Sequence, residues 1–226
     1  MKKENKFIKL IDYIVPRYAY LPLAIVLLAN VIAYYGTRLF SDCLTYYSPA
    51  LPIDDHIPFI PAFISIYILS YAQWVLSYIL IARENREVCN RIIYGATCAK
   101  LICMVIFLVY PTYMERPEVV GDGLWNTLVR FIYSADTSDH LFPSIHCLES
   151  WICFRASLVM RKPAPIYKLV SFVSALLVFA STVFVKQHCF IDIIGGVVVA
   201  ELGLLIWGII GSKIKNKKGT VGIEST

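Results

Sequence analysis

Residues 169–212 read LVSFVSALLVFASTVFVKQHCFIDIIGGVVVAELGLLIWGIIGS, and this stretch decides the fold class. Leu169–Val185 holds no charged residue, and Phe190–Ser212 holds only Asp192 and Glu201. A run of about 20 apolar residues is long enough to cross a hydrocarbon core of about 30 Å. Backbone polar groups in lipid must bond to one another, so such runs are helices. The four residues from Lys186 to Cys189 then join two membrane helices through a tight turn. The same reading, carried outward, finds four more runs: Tyr18–Thr37, Ala62–Ala82, Ile92–Tyr113 and Phe142–Met160. The expectation is an all-α, polytopic membrane protein of six transmembrane helices, occupying residues 18–212.

Composition agrees. The chain has 226 residues, 58% of them hydrophobic and 16% charged, where a soluble domain carries about 25% charged; mean hydropathy is +0.64. Disorder, collagen-like repeats, a coiled coil and a soluble nucleic-acid binder are excluded on this balance, and no nucleic-acid partner is expected from the net charge of +5. The basic residues instead follow membrane topology. With the N-terminus inside, one side collects Lys2, Lys3, Lys6, Lys9 and Arg17, then Arg83, Arg86 and Arg91. It also collects Arg161, Lys162 and Lys168, then Lys213, Lys215, Lys217 and Lys218. The other side has only Arg38, Arg116, Arg130 and Lys186. The positive-inside rule therefore predicts a cell-membrane protein with both termini, residues 1–17 and 213–226, in the cytoplasm. Lys100 and Arg155 fall inside spans and are expected to snorkel toward the basic side. The first span follows a basic segment like a signal peptide but lacks a small-residue cleavage site, and is read as a retained anchor. The seven scattered cysteines include no C-x-x-C and read as small apolar residues.

The four histidines, His56, His140, His146 and His188, all fall on the extracytoplasmic side. An ionisable residue at the end of a span is a functional candidate, because its burial is costly. Pro143-Ser144-Ile145-His146 opens the fourth span. Pro143 suits a helix start, and the free amides of that terminus with a hydroxyl and an imidazole beside them suit a phosphate. The plainer reading is that Ser144 only caps the helix. His188 and Asp192 stand at i and i+4, on one face of a helix that begins by His188. A carboxylate on one ring nitrogen leaves the other free as nucleophile or base; the plainer reading is an interfacial anchor. The next residues, Gly195-Gly196, permit close approach of another helix. Arg116-Pro117 supplies an outward guanidinium suited to phosphate.

In this order and spacing the three groups resemble the signature motifs of the type 2 phosphatidic acid phosphatase superfamily, Lys-x-six-Arg-Pro, Pro-Ser-Gly-His and Ser-Arg-x-five-His-x-three-Asp. The stretch Ser181 to Gly196 is closer to the branch that includes inositol phosphorylceramide synthases. Three positions depart from the motifs: Val109 stands for the first Lys, Ile145 for the Gly and Thr182 for the Arg. The resemblance implies a lipid phosphate or pyrophosphate phosphatase with its site at the outer membrane surface, a lipid phosphate as substrate and no cofactor. It implies His188 as the nucleophile forming a phosphohistidine, Asp192 as its orienting partner and His146 as acid and then base. Arg116, Ser144 and Lys186, the last standing in for a missing cation, would hold the phosphoryl oxygens. The nearest rival is a head-group phosphotransferase; a rival of another class is a transporter or structural protein without turnover. No metal is expected, since the adjacent pairs His146-Cys147 and His188-Cys189 point about 100° apart on a helix. Glu149, one turn below His146, is read as tuning it or as pairing with another helix. Glu201 is expected to be protonated or paired, and Asp136 and Asp139 to lie in a solvated loop, with shaping of the site entrance as the lesser alternative.

Overall fold

The computed structural model describes residues 11–223, with side chains to Ile214. The basic residues Lys2, Lys3, Lys6 and Lys9, and the side chains of Lys215, Lys217 and Lys218, lie outside the described part. Seven α-helices carry the described chain: α1 Tyr20–Val31, α2 Ile64–Glu84, α3 Arg86–Val109, α4 Leu124–Ala135, α5 Ile145–Val159, α6 Ile166–Phe184 and α7 Phe190–Ile223. No strand occurs among the described residues beyond two isolated bridges. A 3-10 turn leads into α1 and a π-helical turn at Ile32–Gly36 extends it. Five helical stretches are long and apolar enough to cross a membrane: Arg17–Gly36, Pro61–Glu84, Arg86–Val109, Ile166–Phe184 and Phe190–Ile214.

The expected fourth span is a shorter helix. α5 has 15 residues, about 22 Å at 1.5 Å per residue, because Ser144 caps its start and Met160 leaves helical geometry at its end. It is also the most enclosed helix, packed by α6, α7, α2 and α3, and its buried residues include Glu149, Ser150 and Ser157. A helix walled by protein can keep polar groups that lipid would reject.

Small residues set the tightest contact, between α3 and α7. A Cβ built on Gly203 would lie 2.6 Å from Ala99 N and Gly95 O, and one on Gly95 would lie 2.7 Å from Leu204 Cδ2. Gly95 and Ala99, four apart on one face, let the α7 backbone approach closely, the usual device of helix pairs in lipid. The core beneath is built from Cys89, Ile93, Ala96, Cys103, Phe107 and Ile152.

At one end of the bundle the Glu84 carboxylate accepts from the amides of Arg161 at 3.1 Å and Lys162 at 3.0 Å. There the Tyr18 hydroxyl donates to Ala82 O at 2.6 Å, and the Lys162 ammonium to Arg83 O. At the opposite end the long connections fold over the helix termini. Ile60 N donates to Phe184 O at 2.8 Å, and Leu141 N and Phe142 N both donate to Thr112 Oγ1. All four histidines belong to this second end.

One expectation for a lone charge is corrected, at Lys100, while Glu201 is paired as expected. Lys100 does not snorkel: it is 2% exposed and ion-paired with Glu149 on the facing helix. Arg155 is held by Glu201 at 2.8 Å, and Glu201 also accepts from Trp151 Nε1 at 2.7 Å. The seven cysteines are free thiols, five of them buried.

Candidate active site

The turn from α6 to α7 fixes His188. Val185 N and Lys186 N close the end of α6 on Ser181 O and Val183 O, and Gln187 N and His188 N both donate to Thr182 O. Lys186 takes φ +51° to make the turn, a left-handed conformation costly for a residue with a Cβ. The chain then enters α7, and Asp192 reaches back one turn. Its carboxylate Oδ2 accepts from Cys189 N at 2.9 Å and lies 3.2 Å from His188 Nδ1. Asp192 is fully buried. The carboxylate can only accept, so Nδ1 carries the proton and Nε2 of His188 is left with a free lone pair.

The α5 terminus is brought to this turn by the two glycines. A Cβ on Gly196 would sit 2.6 Å from Ser144 O, and one on Gly195 would sit 2.5 Å from the Phe142 ring. Ser144 N donates to Asp192 O at 3.1 Å, so the two segments are also hydrogen-bonded. The close approach sets the His146 ring 6.0 Å from the His188 ring, centroid to centroid. His146 stacks on Tyr67 at 4.2 Å, its Nε2 is 3.0 Å from the Tyr71 hydroxyl, and its Nδ1 is 3.4 Å from the Tyr67 hydroxyl.

Both imidazoles line one cavity of about 690 Å³. Gln187, Tyr71 and Trp74 border it near the rings, Asp136 and Asp139 at the loop side, and Lys100 with Glu149 on a deeper part of its wall. It lies between α1 and α2, with Leu27 and Val75 on its sides. The structure thus brings together His188, His146 and Asp192.

The expected phosphate ligands are arranged differently. Arg116 donates to Asp136 O at 2.6 Å, Thr137 O at 3.2 Å and Gln187 Oε1 at 2.6 Å, and it stacks over Tyr133. It ties the loop after α4 to the residue before His188, and its side chain is not on the cavity wall. Ser144 is fully buried and its hydroxyl caps α5 by accepting from Cys147 N at 3.3 Å. Lys186 directs its ammonium to Asp54 O at 3.0 Å. Thr182, where the motif has Arg, is buried with its hydroxyl 3.8 Å from Cys147 Sγ.

Comparison of the chain with protein-family models, curated proteins and solved structures finds no match. Among the described residues no group of three or more His, Cys, Asp or Glu side chains is arranged to hold a metal ion.

Several residues of the site were not singled out by sequence. Arg38, just past the π-helical turn, bonds Asp139 at 3.0 Å, Asp136 at 3.2 Å and the Tyr34 hydroxyl at 2.7 Å. Asp136 and Asp139, read as solvated or, less favoured, as shaping the site entrance, are half-buried at the cavity edge. Burial pushes the Asp136 carboxyl up to about 6, against the opposing pull of His188. At Asp139 burial acts upward too, but His140, the Thr137 hydroxyl and the Arg38 charge outweigh it and hold that carboxyl below its usual range. Tyr67, Tyr71 and Trp74 are spaced along one helix face, the signal by which sequence could have found them. The Lys100–Glu149 and Arg38–aspartate pairs join distant segments and leave no local signature.

Proposed function

We propose that the chain is an integral membrane lipid phosphate phosphatase that works through a phosphohistidine. The observation that carries this reading is the pair of imidazoles, 6.0 Å apart on one cavity, one of them backed by a buried carboxylate. His188 Nε2 attacks phosphorus, and the P–O bond to the lipid alcohol breaks. His146 gives its proton to the departing oxygen. Asp192 keeps Nδ1 protonated and balances the charge that builds on the ring, as the carboxylate of a triad does. In the second step neutral His146 takes a proton from water, the hydroxide attacks phosphorus, and His188 leaves with its lone pair restored. Covalent catalysis divides one difficult displacement into two.

The membrane reading adds six helices, with α5 as the short enclosed one, cytoplasmic termini and the histidine end of the bundle outside. The concentration of basic residues near the opposite end supports that orientation. A cavity bordered by apolar side chains of α1 and α2 suits a substrate whose phosphate reaches His188 while its tail stays in lipid.

The test is release of inorganic phosphate from lipid phosphates by the purified protein in detergent, with and without a polyol or ceramide acceptor. Hydrolysis without acceptor is expected, and His188→Ala should reduce it at least about 10³-fold. Head-group transfer only when acceptor is present would favour the phosphotransferase. Unchanged turnover in His188→Ala would remove the proposed nucleophile.

A further inference from the structure

The cavity extends beyond the two histidines, and the phosphatase chemistry leaves its deeper part unused. Lys100 and Glu149 line that part, with side chains 3% and 8% exposed. Glu149 is satisfied: Oε1 pairs with Lys100, and Oε2 accepts from the Tyr78 hydroxyl at 2.9 Å. Lys100 is not, since an ammonium has three donors and no partner besides Glu149 among the described residues. A buried ion pair is commonly replaceable by apolar side chains without loss of stability, and a charge inside a membrane bundle marks function more often than structure. Both residues line the cavity, and the ammonium nitrogen is buried at its wall.

We propose that Lys100 and Glu149 form a second polar subsite, which binds an uncharged carbonyl or hydroxyl of the lipid while His188 receives its phosphate. The pair is neutral overall, so it offers hydrogen bonds without attracting a second phosphate. A carbonyl accepts from the ammonium; a hydroxyl accepts from Lys100 and donates to Glu149. Glu149 lies three residues from His146 on α5, an axial rise of about 4.5 Å, and both line the cavity that His188 also lines. The bound polar group therefore stands close to the phosphate, as in an acyl-glycerol or a hydroxylated long-chain base. Plain alkyl and isoprenoid phosphates, with no polar atom there, leave the Lys100 donors unpaired and are disfavoured. Leu27 and Val75, both largely exposed and both on the cavity wall, mark where the tail passes out between α1 and α2. The subsite names the substrate class for the proposed phosphatase and rests on that reading for the phosphate end.

The experiment measures binding, so that it does not depend on turnover. Two non-hydrolysable phosphonates of equal chain length are compared in detergent, one with an ester carbonyl and hydroxyl within about four bonds of phosphorus, the other a plain alkyl phosphonate. Wild-type protein is expected to bind the first about tenfold more tightly. The Lys100→Met/Glu149→Leu double variant should bind both within about twofold of each other. Equal affinities in the wild type overturn the subsite, as does a preference retained by a monodisperse double variant; the wild-type comparison decides by itself if that variant does not accumulate. Failure to bind either phosphonate overturns the subsite and the phosphate site together. Selective binding without phosphate release leaves the subsite standing and removes the phosphatase reading, whereas phosphate release without selective binding removes the subsite alone.

Discussion

His188 and Asp192 were legible in the sequence because four residues on one helix face are neighbours whatever the tertiary fold. His146 joined them through motif order. Arg38 and Lys100 were not legible as members of the site, since their partners come from distant segments; Glu149 was read as tuning His146 or pairing with another helix, and it pairs with Lys100. Arg116 and Lys186 show a different limit: motif position marked them as phosphate-binding cations, but it could not show that Arg116 bonds backbone carbonyls and Gln187 and that Lys186 bonds Asp54 O. At this scale His146→Ala should lower kcat/KM by about 10²–10⁴-fold, the range for loss of a general acid, with folding intact; steady-state hydrolysis checks it. Asp136 gives a pH signature. Its carboxyl titrates at about 6 rather than 3.8, so the folded state holds that proton more tightly than the unfolded chain. Stability therefore falls as pH rises from about 4 to about 6. Asp136→Asn, which cannot ionise, should raise Tm at pH 7.5, and the gain should shrink by on the order of 2 kcal/mol at pH 4.5. A gain independent of pH would contradict burial as the cause.

At the scale of elements, the long apolar runs were readable, and their ends were not. α3 begins at Arg86 rather than Ile92 because the Asn85 side chain accepts from Val88 N and starts the helix within a charged segment. α5 stops short of a full span, and its enclosure depends on neighbours that periodicity cannot reveal. α4 was hidden in the loop Met114–Leu141. Its Leu128, Val129 and Ile132 face the start of α2, a pattern too short to stand out beside membrane spans. The glycine step is the element-level device on which the site depends. Gly196→Ala places a methyl 2.6 Å from the Ser144 carbonyl oxygen and should push the α5 terminus off α7. Activity is expected to drop about 10²-fold, the cost of roughly 1 Å of misplacement. Gly208→Ala, which meets nothing within 4 Å, is the matched control and should keep wild-type activity and Tm.

For the molecule as a whole, the bundle gathers its histidines at one end and the basic connections Arg83–Arg86 and Arg161–Lys162 at the other. If the histidine end is extracytoplasmic, a membrane-impermeant maleimide should label Asp122→Cys in intact cells, in a Cys43→Ser background that removes the exposed native thiol. Labelling only after lysis would invert the orientation. The central claim is covalent, and rapid chemical quench tests it most directly: wild-type protein is mixed with a lipid phosphate carrying radioactive phosphorus, stopped in alkali within milliseconds and digested for peptide mapping. The account predicts an acid-labile, alkali-stable phosphoryl group on the peptide containing His188, absent from His188→Ala. Radioactivity on the peptide containing His146, or phosphate release with no labelled peptide at any time, would contradict it.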